Sequence, residues 1–328
     1  MRRWNLSHHA ISSCVTAALL AGCAGPRSLI AEPATMPQSR GSSPLTPRSG
    51  SWILPQAKSE DLLYVSDFSE GQLQVFSYPR GKLVGTISGL SGPMGLCADT
   101  AGDIFVANAG GNDVLEYAHG GSSPIKTLSD MGYAPEKCSS DPMTGNLAVV
   151  DGSSSSGSVA VFKHASGTPV RYANPRAWRT AIGCGYDDAG NLLVSGRKRN
   201  YYAALAELKY GRRQLNDLSL GHDTDDNAFK ISNPGQVQWD GSHVAVFANL
   251  NHSHQVYQFT IDSGSATVVN ITSLEGGSEM RDTWIQGNTI VAAGNQHAVW
   301  FFTYPAGGHA TKTLDLSGLG IGVAISTP

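Results

Sequence analysis

One strand–turn–strand pattern is written six times along this chain, and that recurrence constrains the fold more than any other feature. The block Leu62-Leu63-Tyr64-Val65-Ser66-Asp67 returns as Asp103-Ile104-Phe105-Val106-Ala107-Asn108 and as Asn146-Leu147-Ala148-Val149-Val150-Asp151. Later copies are Asn191-Leu192-Leu193-Val194-Ser195-Gly196, Ser242-His243-Val244-Ala245-Val246-Phe247 and Asn288-Thr289-Ile290-Val291-Ala292-Ala293. The starts at 62, 103, 146, 191, 242 and 288 are spaced 41, 43, 45, 51 and 46 apart. A period of about 40–50 residues built from short strands is the signature of a β-propeller blade. The repeats speak to fold and say little about function, because the same scaffold hosts many activities.

Each copy continues in the same order. After a polar turn comes an apolar strand ending in an aromatic, as in Leu73-Gln74-Val75-Phe76, Val114-Leu115-Glu116-Tyr117 and Val299-Trp300-Phe301-Phe302. The copy after Asn191 offers Leu205-Ala206-Glu207-Leu208 instead. An outer strand follows, such as Lys82 to Ile87, and the alternation of apolar and polar positions marks these strands as half-buried and antiparallel. Before most blocks lies a further strand ending in Asp, as in Met94 to Asp99, Glu136 to Asp141 and Ile182 to Asp187; such residues suit the hairpin that must come next. The copy Ile321 to Ser326 ends the chain with no outer strands behind it, while Leu62 has no such strand before it. The C-terminal strand is therefore expected to complete the N-terminal blade. That closes an all-β, six-bladed propeller of four-stranded antiparallel blades and removes the exposed edges.

The run Pro-x-Gly-Leu-x-x-Asp-x-x-Gly followed by Ile-Phe-Val-Ala-Asn, seen at Pro93 to Asn108, resembles the NHL-repeat propellers. It is also similar to the wider six-bladed group of senescence-marker/gluconolactonase-like proteins, and most of all to bacterial lipoprotein propellers with Cys-containing inner strands. A metal-dependent lactonase of that group implies Glu, Asn and Asp converging on one divalent cation. Here only Glu136 and Asp282 are carboxylates among the residues entering the inner strands, and Asn233-Pro234-Gly235 replaces the group's Pro-Asn-Gly. The resemblance therefore stops short of the ligands.

The N-terminus reads as an address. Arg2 and Arg3 precede a short apolar run, Ala10 to Leu20, too short to span a bilayer as a mature helix. It ends in Leu20-Ala21-Gly22-Cys23, which resembles the lipobox of bacterial lipoproteins. That implies a signal peptide over 1–22 and a lipid on Cys23; an ordinary signal peptide with a chance cysteine is the alternative. Several acyl chains would anchor the protein stably where one would not. Residues 23–57, rich in Pro, Ser, Gly and Thr, read as a flexible tether, with the propeller over 58–328. Ala24 follows the cysteine where Asp would be the usual inner-membrane signal, so the expected home is an outer membrane if the source has two.

Charge points to no nucleic acid, since 23 Lys+Arg stand against 26 Asp+Glu. The basic cluster Arg197-Lys198-Arg199-Asn200-Tyr201-Tyr202 reads as a solvated loop tip, or as a contact for acidic glycans or lipid headgroups. In this fold ligands meet the mouth of a central channel. The candidate ligand-binding residues at the strand starts are Glu136, Lys137, Arg179, Gln236, Gln238, Arg281 and Asp282. Glu136, Asp282 and Arg281 are the catalytic candidates. Ordinary internal salt bridges, such as Glu136 with Arg281, are the competing reading. The loop bearing Asp223, Asp225 and Asp226 offers oxygen ligands of the kind calcium prefers, yet it lacks the distal Glu of an EF-hand, so an exposed acidic turn is expected and no cofactor is assigned. His252 and His254 stand two apart with no partner motif, and no Gly-x-Ser-x-Gly elbow occurs.

With Cys14 removed and Cys23 lipidated, Cys97, Cys138 and Cys184 remain on successive inner strands. Counted back from each terminal Asp, Cys97 is at minus two and the others at minus three. Side chains alternate along a strand, so Cys97 and Cys138 could face each other across two blades, and an exported setting would permit the bond. Buried small hydrophobes are the expected reading. The expected function is a monomeric cell-envelope lipoprotein whose propeller binds a protein, peptide or glycan. The alternative is a hydrolase or lyase, metal-dependent or not, working on a small molecule at the channel mouth.

Overall fold

Each blade forms because its four strands are short, antiparallel and joined by tight turns, and six such sheets are present. The structure is a computed structural model that describes residues 50–129, 132–152, 157–174, 178–200, 202–220, 233–250, 253–277 and 279–328. The signal segment, Cys23, the tether to residue 49, Asp223, Asp225, Asp226, Tyr201 and His252 lie outside the described residues.

Blade 1 holds the strands Leu62–Asp67, Gln72–Ser77 and Leu83–Ser88, with Gly320–Ser326 from the C-terminus as its inner strand. The register runs from Leu62 opposite Ser326 to Ser66 opposite Gly322, so the ring is closed by the terminal strand. Blades 2 and 3 run from the inner strands Pro93–Ala98 and Pro135–Ser140 out to Lys126–Ser129 and Val170–Ala173. Blade 4 runs from Trp178–Tyr186 to Asn216–Asp217, and the Leu205 segment takes its place in the strand Ala203–Leu208. Blade 5 begins with Pro234–Trp239 and blade 6 with Met280–Gln286.

Two details differ from expectation. Trp52–Ile53 pairs with Leu83–Ser88 as a fifth, outermost strand, so the expected tether gives way to paired backbone before residue 57. The aromatic-ended strands are also not half-buried: Gln74, Glu116 and Gln258 are buried along with their apolar neighbours. The physical reason is that each blade is sandwiched between two others. Side chains of odd and even positions therefore enter different cores. Leu62 and Tyr64 pack towards blade 2, and Leu63 and Val65 pack towards blade 6. Six apolar clusters result, one for each interface between neighbouring blades.

Hairpin chemistry repeats as well. The Asp that ends an inner strand turns its carboxylate onto the amides of its own turn. Asp99 accepts from Ala101 and Asp103, Asp187 from Ala189 and Asn191, and Asp240 from Ser242 and His243, at 2.7–3.0 Å. These carboxylates are thus turn-formers. Neighbouring blades are stitched at their outer edges by two-residue parallel pairings. Ser219–Leu220 and Gly308–His309 both join the outer strand Ser265–Glu275 of blade 5.

Candidate functional site

Every inner strand shifts register near its start, where two residues oppose one on the next strand. Such a bulge re-aims a side chain. Repeated six times, it brings Gly95, Lys137, Gly183, Gln236, Asp282 and Gly322 to equivalent places around the axis. Three are glycine because no more can fit. A Cβ on Gly183 would stand 2.1 Å from Gly235 O, and one on Gly322 would stand 2.2 Å from Met94 O.

The other three fill the centre. Lys137 Nζ of blade 3 lies 2.6 Å from Asp282 Oδ1 of blade 6, across the ring, and 3.3 Å from Arg281 O. Gln236 Nε2 donates to Cys138 O at 3.1 Å and to Cys184 O at 3.0 Å. Burial pushes the Asp282 carboxyl above its ordinary range, and the Lys137 ammonium with the amides of Val323 and Thr283 pulls part of it back. The expected Glu136–Arg281 pair is not formed. The bridge is made one residue along on each strand, because alternation turns Lys137 and Asp282 inward and leaves Arg281 exposed.

Of the remaining sequence candidates, Glu136 and Arg179 stand apart on the strand-start rim, while Gln238 shares a cavity with Gln236. Glu136 is half-buried at the strand-start rim and lies over Gly152, where a Cβ would collide with its Oε1. Burial raises its carboxyl, Lys137 opposes this and Asp151 adds to it. Arg179 is exposed on the same rim. Gln238 sits towards the other rim and is engaged by backbone: its Nε2 donates to Ile285 O at 2.8 Å and its Oε1 accepts from Ile285 N at 2.7 Å. Lys198, in the basic cluster, lies 3.6 Å from Asp217 Oδ2. No group of three or more His, Cys, Asp or Glu able to hold a metal occurs among the described residues.

The cysteines take the alternative reading. Cys97 and Cys138 are joined, Cα atoms 5.6 Å apart, which ties blade 2 to blade 3 at the axis. Cys184 is a free buried thiol, raised by that burial, and donates to Ala148 O.

The concave site lies at the rim where the inner strands end. Trp284, two residues beyond Asp282, reaches across the axis and packs against the clusters between blades 1 and 2, 2 and 3, and 6 and 1. Its indole N–H donates to Gln286 Oε1 at 3.2 Å. Beside it opens a cavity of about 240 Å³ lined by Asp99, Ser139, Tyr186, Gln236, Trp239 and the Cys97–Cys138 bridge, among others. Ser139 Oγ accepts from Tyr186 N at 3.1 Å. Of the residues expected from the sequence to bind a ligand, Gln236 and Gln238 line this cavity, whereas Tyr186, Trp239 and Trp284 were not among them. The signal was present: Trp239 ends one inner strand and Trp284 lies in the second half of the next.

No family model matches the chain, and no curated protein matches it. Solved structures do. A chain of a nidogen/laminin complex aligns with a TM-score of 0.63 and 13% identity, over 81% of this chain and 98% of that one. A protein of unknown function from Bacteroides caccae aligns with a TM-score of 0.56 and 13% identity, over 82% and 99%. The β-propeller domain of Cps50 (Swd1) from Myceliophteria thermophila aligns at 0.53 and 10%, over 81% and 86%. At these identities the likeness is one of fold, and it agrees with the six blades counted above.

Proposed function

We propose that this chain is an exported, lipid-anchored binding module of a bacterial cell envelope, close in kind to the NHL-repeat propellers, that presents the strand-end rim to a protein, peptide or glycan. The observation that carries this reading is the half-buried Trp284 lining a concave mouth on the propeller ring. The charged residues of the channel support it, because Lys137 and Asp282 serve each other instead of facing a substrate. Pockets of this kind, mostly apolar with a few placed polar groups, are ordinary ligand sites.

Capture from envelope extracts tests the face. Wild-type protein is expected to retain a partner that Trp284→Ala loses, and equal capture by both would remove the strand-end rim from consideration. The anchor is tested separately. Metabolic labelling with a fatty acid should mark the wild type and not Cys23→Ala; unchanged labelling would rule out the lipid. On this reading the residue after the anchor, Ala24, directs the protein to an outer membrane where one exists.

A further inference from the structure

We infer that the cavity beside Trp284 is a subsite for one pyranose ring of a saccharide, with a sugar hydroxyl donating to Gln236 Oε1. This rests on the strand-end rim being the binding face and names the chemistry that face accepts.

The first observation is an unpartnered acceptor. Gln236 is 8% exposed, and its Oε1 is buried with no hydrogen-bond partner among protein atoms. The amide orientation is fixed by its surroundings. Two backbone carbonyls, of Cys138 and Cys184, face the other end of the amide, so the nitrogen must be there and the oxygen must lie opposite. Leaving such an acceptor without a donor is unfavourable, and a ligand O–H or N–H that reaches it removes that cost. Gln236 lines the cavity, and a small shift of the groups that cover Oε1 lets a hydroxyl entering there donate to it.

The second observation is the distribution of the lining. Trp284, Trp239 and Tyr186 provide aromatic surface, while Thr100, Ser139 and Ser140 bring hydroxyls. Polar groups thus stand around the wall as well as at Gln236. A side chain polar only at its tip, such as tyrosine, would satisfy Gln236 and leave the hydroxyls facing C–H. A pyranose has C–H faces for the aromatic rings and hydroxyls around its whole edge. Size agrees: about 240 Å³ is below the range of roughly 300–1,000 Å³ for pockets that enclose a whole drug-sized ligand. One ring of a longer chain is therefore held, with the rest lying on the rim.

The test uses the full propeller with glucose, galactose, N-acetylglucosamine, cellobiose and lactose at millimolar concentration, and tyramine as the ligand polar only at its tips. Saturation-transfer NMR is expected to show at least one saccharide receiving signal at its ring C–H protons, with a change in tryptophan fluorescence. Trp284→Ala should abolish both, Trp284→Phe should keep part of the affinity, and Gln236→Met should weaken it about tenfold, the size of one lost hydrogen bond. Thermal unfolding checks that each variant folds; should Gln236→Met fail, Ser139→Ala, which trims one hydroxyl, is expected to weaken binding in the same direction. No signal from any saccharide, or signal undiminished in Trp284→Ala, overturns the inference. Tyramine binding without saccharide binding also overturns it. In that last case envelope capture that depends on Trp284 would still stand, so the failure of the sugar subsite is distinguishable from the failure of the binding face.

Discussion

Lys137 and Asp282 show how far a single residue could be read from the sequence. Both were visible as charges at the start of an inner strand, and an internal salt bridge was a fair expectation. The partner was off by one on each strand, because a bulge at the start of every inner strand resets which residue turns to the axis. Nothing in the local sequence announces that shift. The energetic consequence is testable. Removing one member of a buried ion pair strands the other charge, at a cost of about 3–5 kcal/mol, whereas replacing both with apolar groups is often neutral or better. Lys137→Met is therefore expected to lower stability to denaturant by about that amount. The double variant Lys137→Met/Asp282→Leu should recover most of the loss. A single variant as stable as the wild type in urea unfolding would mean that the pair across the ring contributes nothing.

At the scale of the element, the inner strand Gly320–Ser326 is held by more than its ladder. Ser66 Oγ accepts from Gly322 N at 2.7 Å and donates to Met94 O, linking the closing strand to blade 2. At its other end Ser326 Oγ donates to Gly102 O and shares a hydrogen bond with His119 Nδ1. Burial holds the His119 imidazole below its ordinary range, against the opposite pull of the Glu60 carbonyl and the Asp61 and Asp103 carboxylates. The unfolded chain therefore takes up this proton first as pH falls. The contribution of neutral His119 is complete above the unfolded-state value of about 6.5 and is lost as pH drops from there through the folded-state value. Between about pH 7.5 and pH 5 the melting temperature of the wild type should fall more than that of His119→Gln. Parallel melting curves for the two proteins over that range would exclude His119 as a pH-sensitive part of the closure.

For the whole molecule, the architecture was legible because it is repetitive. A strand pattern at a period of 41–51 residues, written six times, leaves little choice of fold, and the unpaired strand at each end implies its own partner. The site was less legible because it belongs to no single repeat. Trp284 gains its meaning from reaching three inter-blade clusters, and Gln236 from two carbonyls on two other blades. Both depend on the ring being closed, so closure is the property on which the rest stands. Deleting residues 319–328 removes the strand that covers Leu62–Asp67 and bares an apolar edge ready to pair with another chain. Loss of cooperative unfolding or aggregation is expected, beyond what trimming an ordinary terminus does. Val323 N donates to Asp282 Oδ2 at 3.3 Å, so the same deletion also loosens the axial ion pair and the floor on which Trp284 rests. Deleting residues 30–40 instead should leave thermal unfolding nearly unchanged. If calorimetry gave both deletions the same transition as the full chain, the closing role of the C-terminal strand would have to be abandoned.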